Sequence, residues 1–159
     1  MNKTELLQNF PRWAHASIKN YFKKNLSGVN LRCEGEEDRD PDEPFFAELR
    51  IDGPTLDREG TLGEYQGVVE VNILLTVQRN EKYVHTFQDK IGLCLAVMEN
   101  CIPVFRIGSP NNPPDDGERI GFFQRNETPI DLNNFGQIDK SVRTQQGSVE
   151  AHYRIKLEI

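Results

Sequence analysis

Hydrophobic and polar positions divide the chain into alternating helical and extended stretches. Ala14, Ile18, Tyr21, Phe22 and Leu26 recur at helical spacing up to Gly28, which predicts an amphipathic helix with one buried face. Thr4 is placed to cap a first turn or two, and Pro11 is read as the start of the main helix, where a missing N–H is tolerated. Val29 to Cys33 is a short strand candidate. Phe45, Ala47, Leu49 and Ile51 alternate as a half-buried strand that the Asp52-Gly53-Pro54 sequence should end as a turn.

The strongest extended signal is "YQGVVEVNILLTVQR", residues 65 to 79. Tyr65, Val69, Val71, Ile73, Leu75 and Val77 fall on one face, and Val68, Glu70, Asn72, Leu74, Thr76 and Gln78 on the other. Fifteen extended residues reach about 50 Å at ~3.3 Å each, against roughly 40 Å for a compact domain of this size. The strand is therefore expected to overhang or bend, with Gly67 as the candidate bulge. Residues 81 to 98 carry Val84, Phe87, Ile91, Leu95 and Met98 at helical spacing. "PVFRIG" and Arg119 to Gln124 are short strands flanking the loop "SPNNPPDDGE"; residues 125 to 136 read as irregular and 137 to 144 as a weak strand. In "SVEAHYRIKLEI" Val149, Ala151, Tyr153, Ile155, Leu157 and Ile159 alternate without a break against Glu150, His152, Arg154, Lys156 and Glu158. Strands in series with two main helices laid on one face of a mostly antiparallel sheet make this an α+β chain, residues 1–159 forming a single domain.

Charge adds one feature. The 25 acidic and 19 basic residues of the chain include seven and one, respectively, between Glu34 and Glu43, leaving 18 of each elsewhere. The whole imbalance sits in an acidic loop at residues 34–44, built of Glu34, Glu36, Glu37, Asp38, Asp40, Asp42 and Glu43. Asp38, Asp40 and Asp42 imitate the opening of a calcium loop, but Glu43 replaces the sharp-turn glycine and Leu49 the closing glutamate, so a solvated loop is the better reading. No basic stripe for gripping phosphates is visible. Residues 1 to 10 are too polar for a signal peptide, and no apolar run approaches the roughly 20 residues that cross a bilayer. Cys33, Cys94 and Cys101 lack metal or redox spacing and are expected to be reduced, packed thiols.

Candidate chemistry is sparse. His15, His85 and His152 lie far apart, with no HExxH, nucleophile elbow, phosphate loop or dinucleotide fingerprint. Paired carboxylates could be drawn from Glu70, Glu150 and Glu158 if the sheet brought them together. On a solvent face, though, alternating acids and bases more commonly pair across strands or register an edge against a neighbour. The expectation is a binding or assembly protein with no catalytic residues, metal or cofactor.

The order of elements carries a resemblance. A first helix ("LLQNFPRWAHASIKNYF"), the extended pair in "FFAELRIDGPTLDREGTLGEYQGVVEVNILLTV", a second helix ("YVHTFQDKIGLCLAVMEN"), the "IPVFRIG" strand and the terminal "VEAHYRIKLEI" strand together resemble the tail terminator proteins of long-tailed bacteriophages. The resemblance covers nearly the whole chain and rests on element order. It implies a homohexameric ring that caps the tail tube, ends tail polymerisation and forms part of the head-tail joint. It also implies a virion protein made in the host cytoplasm, with the tail tube protein, a head-tail connector or neck protein and in some tails a sheath as partners, and with DNA passing through the channel without specific binding. Glu70, Asn72, Gln78, Glu150, Arg154 and Lys156 are the candidate ring contacts, and the acidic loop is a candidate channel-lining or docking segment. Another neck protein, or an unrelated non-enzymatic α+β binding module, is the alternative.

Overall fold

The computed structural model describes residues 2–34, 36, 45–59, 63–78, 86–108, 117–139 and 144–158. It is a mixed α/β fold with two helices and a mostly antiparallel, strongly curled sheet. In chain order the elements are α1 (Lys3–Asn25), β1 (Leu31–Cys33), β2 (Phe45–Glu59), β3 (Glu64–Gln78), α2 (Thr86–Met98), β4 (Ile102–Arg106), β5 (Glu118–Arg125), β6 (Asp131–Asp139) and β7 (Thr144–Glu158). The sheet runs β1-β2-β3-β7-β5-β4, with β6 also on β7. Among the described residues only the β1–β2 pairing is parallel.

The first helix is longer than its apolar spacing suggested. Asn2, not Thr4, is the cap: its side chain accepts the Glu5 N–H at 2.7 Å, satisfying one of the donors a helix start leaves free. The helix then continues straight through Pro11. Proline withholds one internal hydrogen bond, and the neighbours explain why the helix survives it, because Phe10, Trp13 and Ala14 are all buried. Tertiary packing outweighs the local penalty.

The long strand finds its partners inside the chain. All fifteen residues of β3 pair with β7 without a register shift, and thirteen pair with β2 on the other side. Of the two expectations for its length, overhang is corrected, since β2 and β7 match it residue for residue in length, whereas a bend agrees with the strong curl of the sheet. Gly67 is likewise no bulge, since it pairs regularly with Leu56 and Ile155. A Cβ there would lie 2.9 Å from Ile155 Cγ2 and 3.1 Å from the Phe10 ring, so glycine serves close packing. The irregularity falls opposite, between Asp52 and Thr55 of β2. Gly53-Pro54 thus makes a bulge within one strand instead of ending it as a turn. Residues 131–139, read as irregular and weakly extended, form β6 against β7.

Alternation along β3 and β7 sorts the side chains. Odd positions from Tyr65 to Val77, Gly67 aside, and from Val149 to Leu157 are buried, in one cluster with Leu6, Phe10, Trp13, Phe22, Phe87, Ile91 and Met98. Polar bonds fix the helices to this core. The Trp13 indole N–H donates to the Ile107 carbonyl at 3.1 Å, and Ser17 Oγ accepts the Phe105 N–H at 3.0 Å, holding α1 to β4 and the residue after it. Tyr21 and Tyr153 donate to the carbonyls of Val97 and Met98 at 2.7 and 2.6 Å, which are orphan acceptors at the end of α2. Burial pushes both phenol pKa values up. Cys33 and Cys94 are buried as expected, the Cys94 thiol pushed up to about 11 by that burial. Cys101 departs from the expectation and is exposed.

Gly147 tests this packing. A Cβ there would meet the Phe87 ring at 2.4 Å and the Asn133 carbonyl oxygen at 2.7 Å, and a backbone oxygen cannot rotate away. Gly147→Ala is expected to lower the unfolding free energy by about 1–3 kcal/mol in urea denaturation, and unchanged stability would contradict the packing described.

Candidate functional site

The even-numbered residues of β3 and β7, with the β2 residues paired to them, share the other face of the sheet. Register aligns them in rows: Asp52, Glu70 and His152; Arg50, Asn72, Glu150 and, on β6, Asp131; Thr55, Val68, Arg154 and, on β5, Gln124. Arg50 is drawn to Glu48 at 2.8 Å, and Lys156 lies 3.7 Å from Glu59 across β3. Exposed pairs such as the latter contribute little to stability. Arg154 is exposed, and Gln78 pairs with Thr144 at the far end of the β3–β7 ladder.

One group on this face is different. Glu70, Glu150 and His152 each offer a ligand atom, and these atoms lie within 4.8 Å of one another. Glu70 stands directly opposite His152, whereas Glu150 is its diagonal neighbour, within the reach of long side chains. His152 Nε2 is 3.0 Å from Glu150 Oε1, and both side chains are about three-quarters buried, at 27% and 25% exposure. Partial burial raises the pKa of the Glu70 carboxyl; the charge of Glu150 and a hydrogen bond with it raise it further, as does Asp52, with His152 opposing.

Sequence reasoning named Glu70 and Glu150 as possible paired carboxylates, and register brings these two together. Glu158 lies on the same face but four positions beyond Arg154 on β7, opposite Glu64. In sequence His152 stands far from the other histidines and matches no metal or catalytic motif. Its i, i+2 spacing from Glu150 was the visible signal, but only the β3–β7 register reveals the third member. His15 is structural: it donates its Nε2–H to the Gly53 carbonyl at 2.7 Å, covering the bulge of β2. His85 lies outside the described residues.

Of the acidic loop, only Glu34 and Glu36 are described. Glu36 accepts from Lys23 Nζ at 2.6 Å and from the Cys33 N–H at 3.2 Å. These contacts lower its pKa, the lysine contributing most. It is thus tied to the last turn of α1 instead of standing free. Glu34 lines a shallow depression of about 260 Å³ with His15, Lys19, Leu49 and Ile51. Glu37, Asp38, Asp40, Asp42 and Glu43 lie outside the described residues.

No family model and no curated protein matches this chain. A solved structure aligns over 89% of this chain and 94% of its own, at 13% identity and a TM-score of 0.46. No helix among the described residues is long and apolar enough to cross a membrane.

The raised pKa of Glu70 sets a sign for pH dependence. A carboxyl whose folded pKa exceeds its unfolded one favours folding fully below the unfolded value, and that contribution is lost as pH rises through the folded value. Glu70→Gln removes the ionisation. In chelator-treated buffer it should gain about 0.5 kcal/mol near neutrality, the scale of exposed charge pairs, and nothing near pH ~3.5, below the ordinary glutamate value of about 4.3. Urea denaturation at both pH values checks this; an equal effect at the two would contradict it.

Proposed function

We propose that this chain is a structural virion protein of the tail terminator kind, assembling into a homohexameric ring that caps the tail tube, ends its growth and forms part of the head-tail joint. The observation that supports it best is the pair of unlike open edges on the sheet. Among the described residues, β6 pairs with β7 on one side and with nothing on the other. At another margin, β1 covers β2 only from Ala47 to Leu49, and among the described residues no strand lies outside the Thr55–Glu59 stretch of β2.

Two different edges suit a heterologous contact, in which one copy's β6 margin meets the next copy's β2 margin; such contacts close into rings when the rotation permits. In this reading both helices pack on one face of the sheet, and the polar face with Glu70, Asn72, Glu150, Arg154 and Lys156 stays clear of that seam and is left for the tube and neck proteins. Glu70 and Asn72 lie on β3, which is paired on both sides, so they would act through side chains alone. The acidic loop, with its excess of negative charge, then either lines the channel, where it repels passing DNA, or docks on a basic patch of an adjoining protein. The role is non-enzymatic, with no cofactor. A place elsewhere in the neck would use the same edges.

Leu132, an apolar residue 52% exposed on β6, provides the test. Light scattering should give a ring mass for the native chain, alone or with purified tail tubes, and Leu132→Lys should raise the concentration needed for assembly by about tenfold, equivalent to ~1.4 kcal/mol, with an unchanged circular dichroism spectrum. A native chain that stays monomeric both alone and with tubes would defeat the reading.

A further inference from the structure

We propose that Glu70, Glu150 and His152 bind one divalent cation of the zinc and manganese class, on the polar face of the sheet and within a single chain. The three donor atoms already lie within 4.8 Å of one another. Ligands of a tetrahedral ion at ~2.0–2.2 Å are about 3.3–3.6 Å apart, so movements of about 1 Å close the set. The His152–Glu150 pair is already at 3.0 Å.

Charge supports the same assignment. Among the described residues, neither Glu70 nor Glu150 has an ion pair to lysine or arginine: Arg50 is engaged by Glu48, Lys156 by Glu59, and the sole ion-pair partner of Glu150 is His152. Asp52, directly across from Glu70, adds a further negative charge. Two half-buried carboxylates and one imidazole, with the exposed Asp52 beside them, form a cation-seeking site, and a divalent ion would neutralise both ligating carboxylates at once.

Donor chemistry narrows the choice of ion. Calcium and magnesium favour all-oxygen shells of six or more ligands. An imidazole nitrogen with two carboxylate oxygens suits zinc or manganese. The platform is preorganised, because β3 and β7 pair without a break through this region. Three protein ligands leave coordination positions for water or for a group on another molecule. Since every ligand comes from one chain, the site does not depend on the ring reading.

Calorimetric titration of the chelator-treated full chain with Zn²⁺, Mn²⁺ and Mg²⁺ separately tests it. One Zn²⁺ per chain is expected, with Mg²⁺ weakest. Glu150→Gln and His152→Asn should each weaken Zn²⁺ binding about tenfold or more, and Cys101→Ser, which removes the exposed thiol, should leave it unchanged. Paramagnetic Mn²⁺ at substoichiometric ratios should broaden the imidazole resonances of His152 first and those of His15, bonded to the Gly53 carbonyl two strands away, much less in the native chain, a readout that stands even where a variant fails to fold. The proposal is overturned if Zn²⁺ does not saturate at one site, if binding survives Glu150→Gln but not Cys101→Ser, or if Mn²⁺ leaves His152 unbroadened. Light scattering with and without Zn²⁺ reports the ring separately, so the two readings can fail independently.

Discussion

The fifteen-residue antiparallel pairing of β3 with β7 is the constraint on which the rest of the molecule depends. Both strands alternate apolar and polar residues, and a slip of one residue would turn every apolar side chain of one strand to the wrong face. Val69, Val71, Ile73, Val149, Ala151, Tyr153 and Ile155 are each at most 1% exposed. At about 1.5–3 kcal/mol for a buried aliphatic or aromatic side chain, the correct register outweighs any alternative by far more than the charges on the other face could offset. The polar face is therefore a consequence of the core. Glu70 faces His152 because Val69 and Val71 must face Tyr153 and Ala151.

The helices are held by a second device. Apolar contact alone is non-directional, so it leaves a helix free to slide along its own axis. Four hydrogen bonds remove that freedom, from Trp13 to the Ile107 carbonyl, to Ser17 from the Phe105 N–H, and from Tyr21 and Tyr153 to the last carbonyls of α2. Each satisfies a group that would cost roughly 1–3 kcal/mol if buried without a partner. The two tyrosines also couple α1 and β7 to the same end of α2. Because Tyr153 is on the core face of the strand that carries His152, the position of α2 and that of the Glu150–His152 pair are set by one stretch of backbone.

The parts of this structure written in local periodicity could be read from sequence, and the parts decided by pairing could not. Strand character in β3 and β7 and the apolar face of α1 follow from spacing alone. Pro11 misled because proline's local penalty is visible whereas the burial of Phe10 and Trp13 is not. Gly53-Pro54 has the composition of a turn, and only the length of β3 beside it shows that β2 continues past it. Gly67 looked like a bulge because sequence cannot show Phe10 packed over it. The Glu70–Glu150–His152 group was half legible. Glu150 and His152 share a face by their spacing, but the long stretch of chain between Glu70 and Glu150 carries no mark of their register.

Placing acids on this face sets a condition on how the chain can associate. A face meant for burial in a large contact would be expected to hide few charges, because desolvating them is costly unless each is paired. Here Asp52, Glu70 and Glu150 cluster without a lysine or arginine partner among the described residues, so broad burial of the face against another apolar or acidic surface is disfavoured. In the proposed ring, joining at the β6 and β2 margins would leave those carboxylates hydrated or ion-bound, while backbone groups of the open edges would gain partners. The charge pattern and the open edges thus favour the same geometry: contact along the rims of the sheet, with the acidic patch kept clear of the seam.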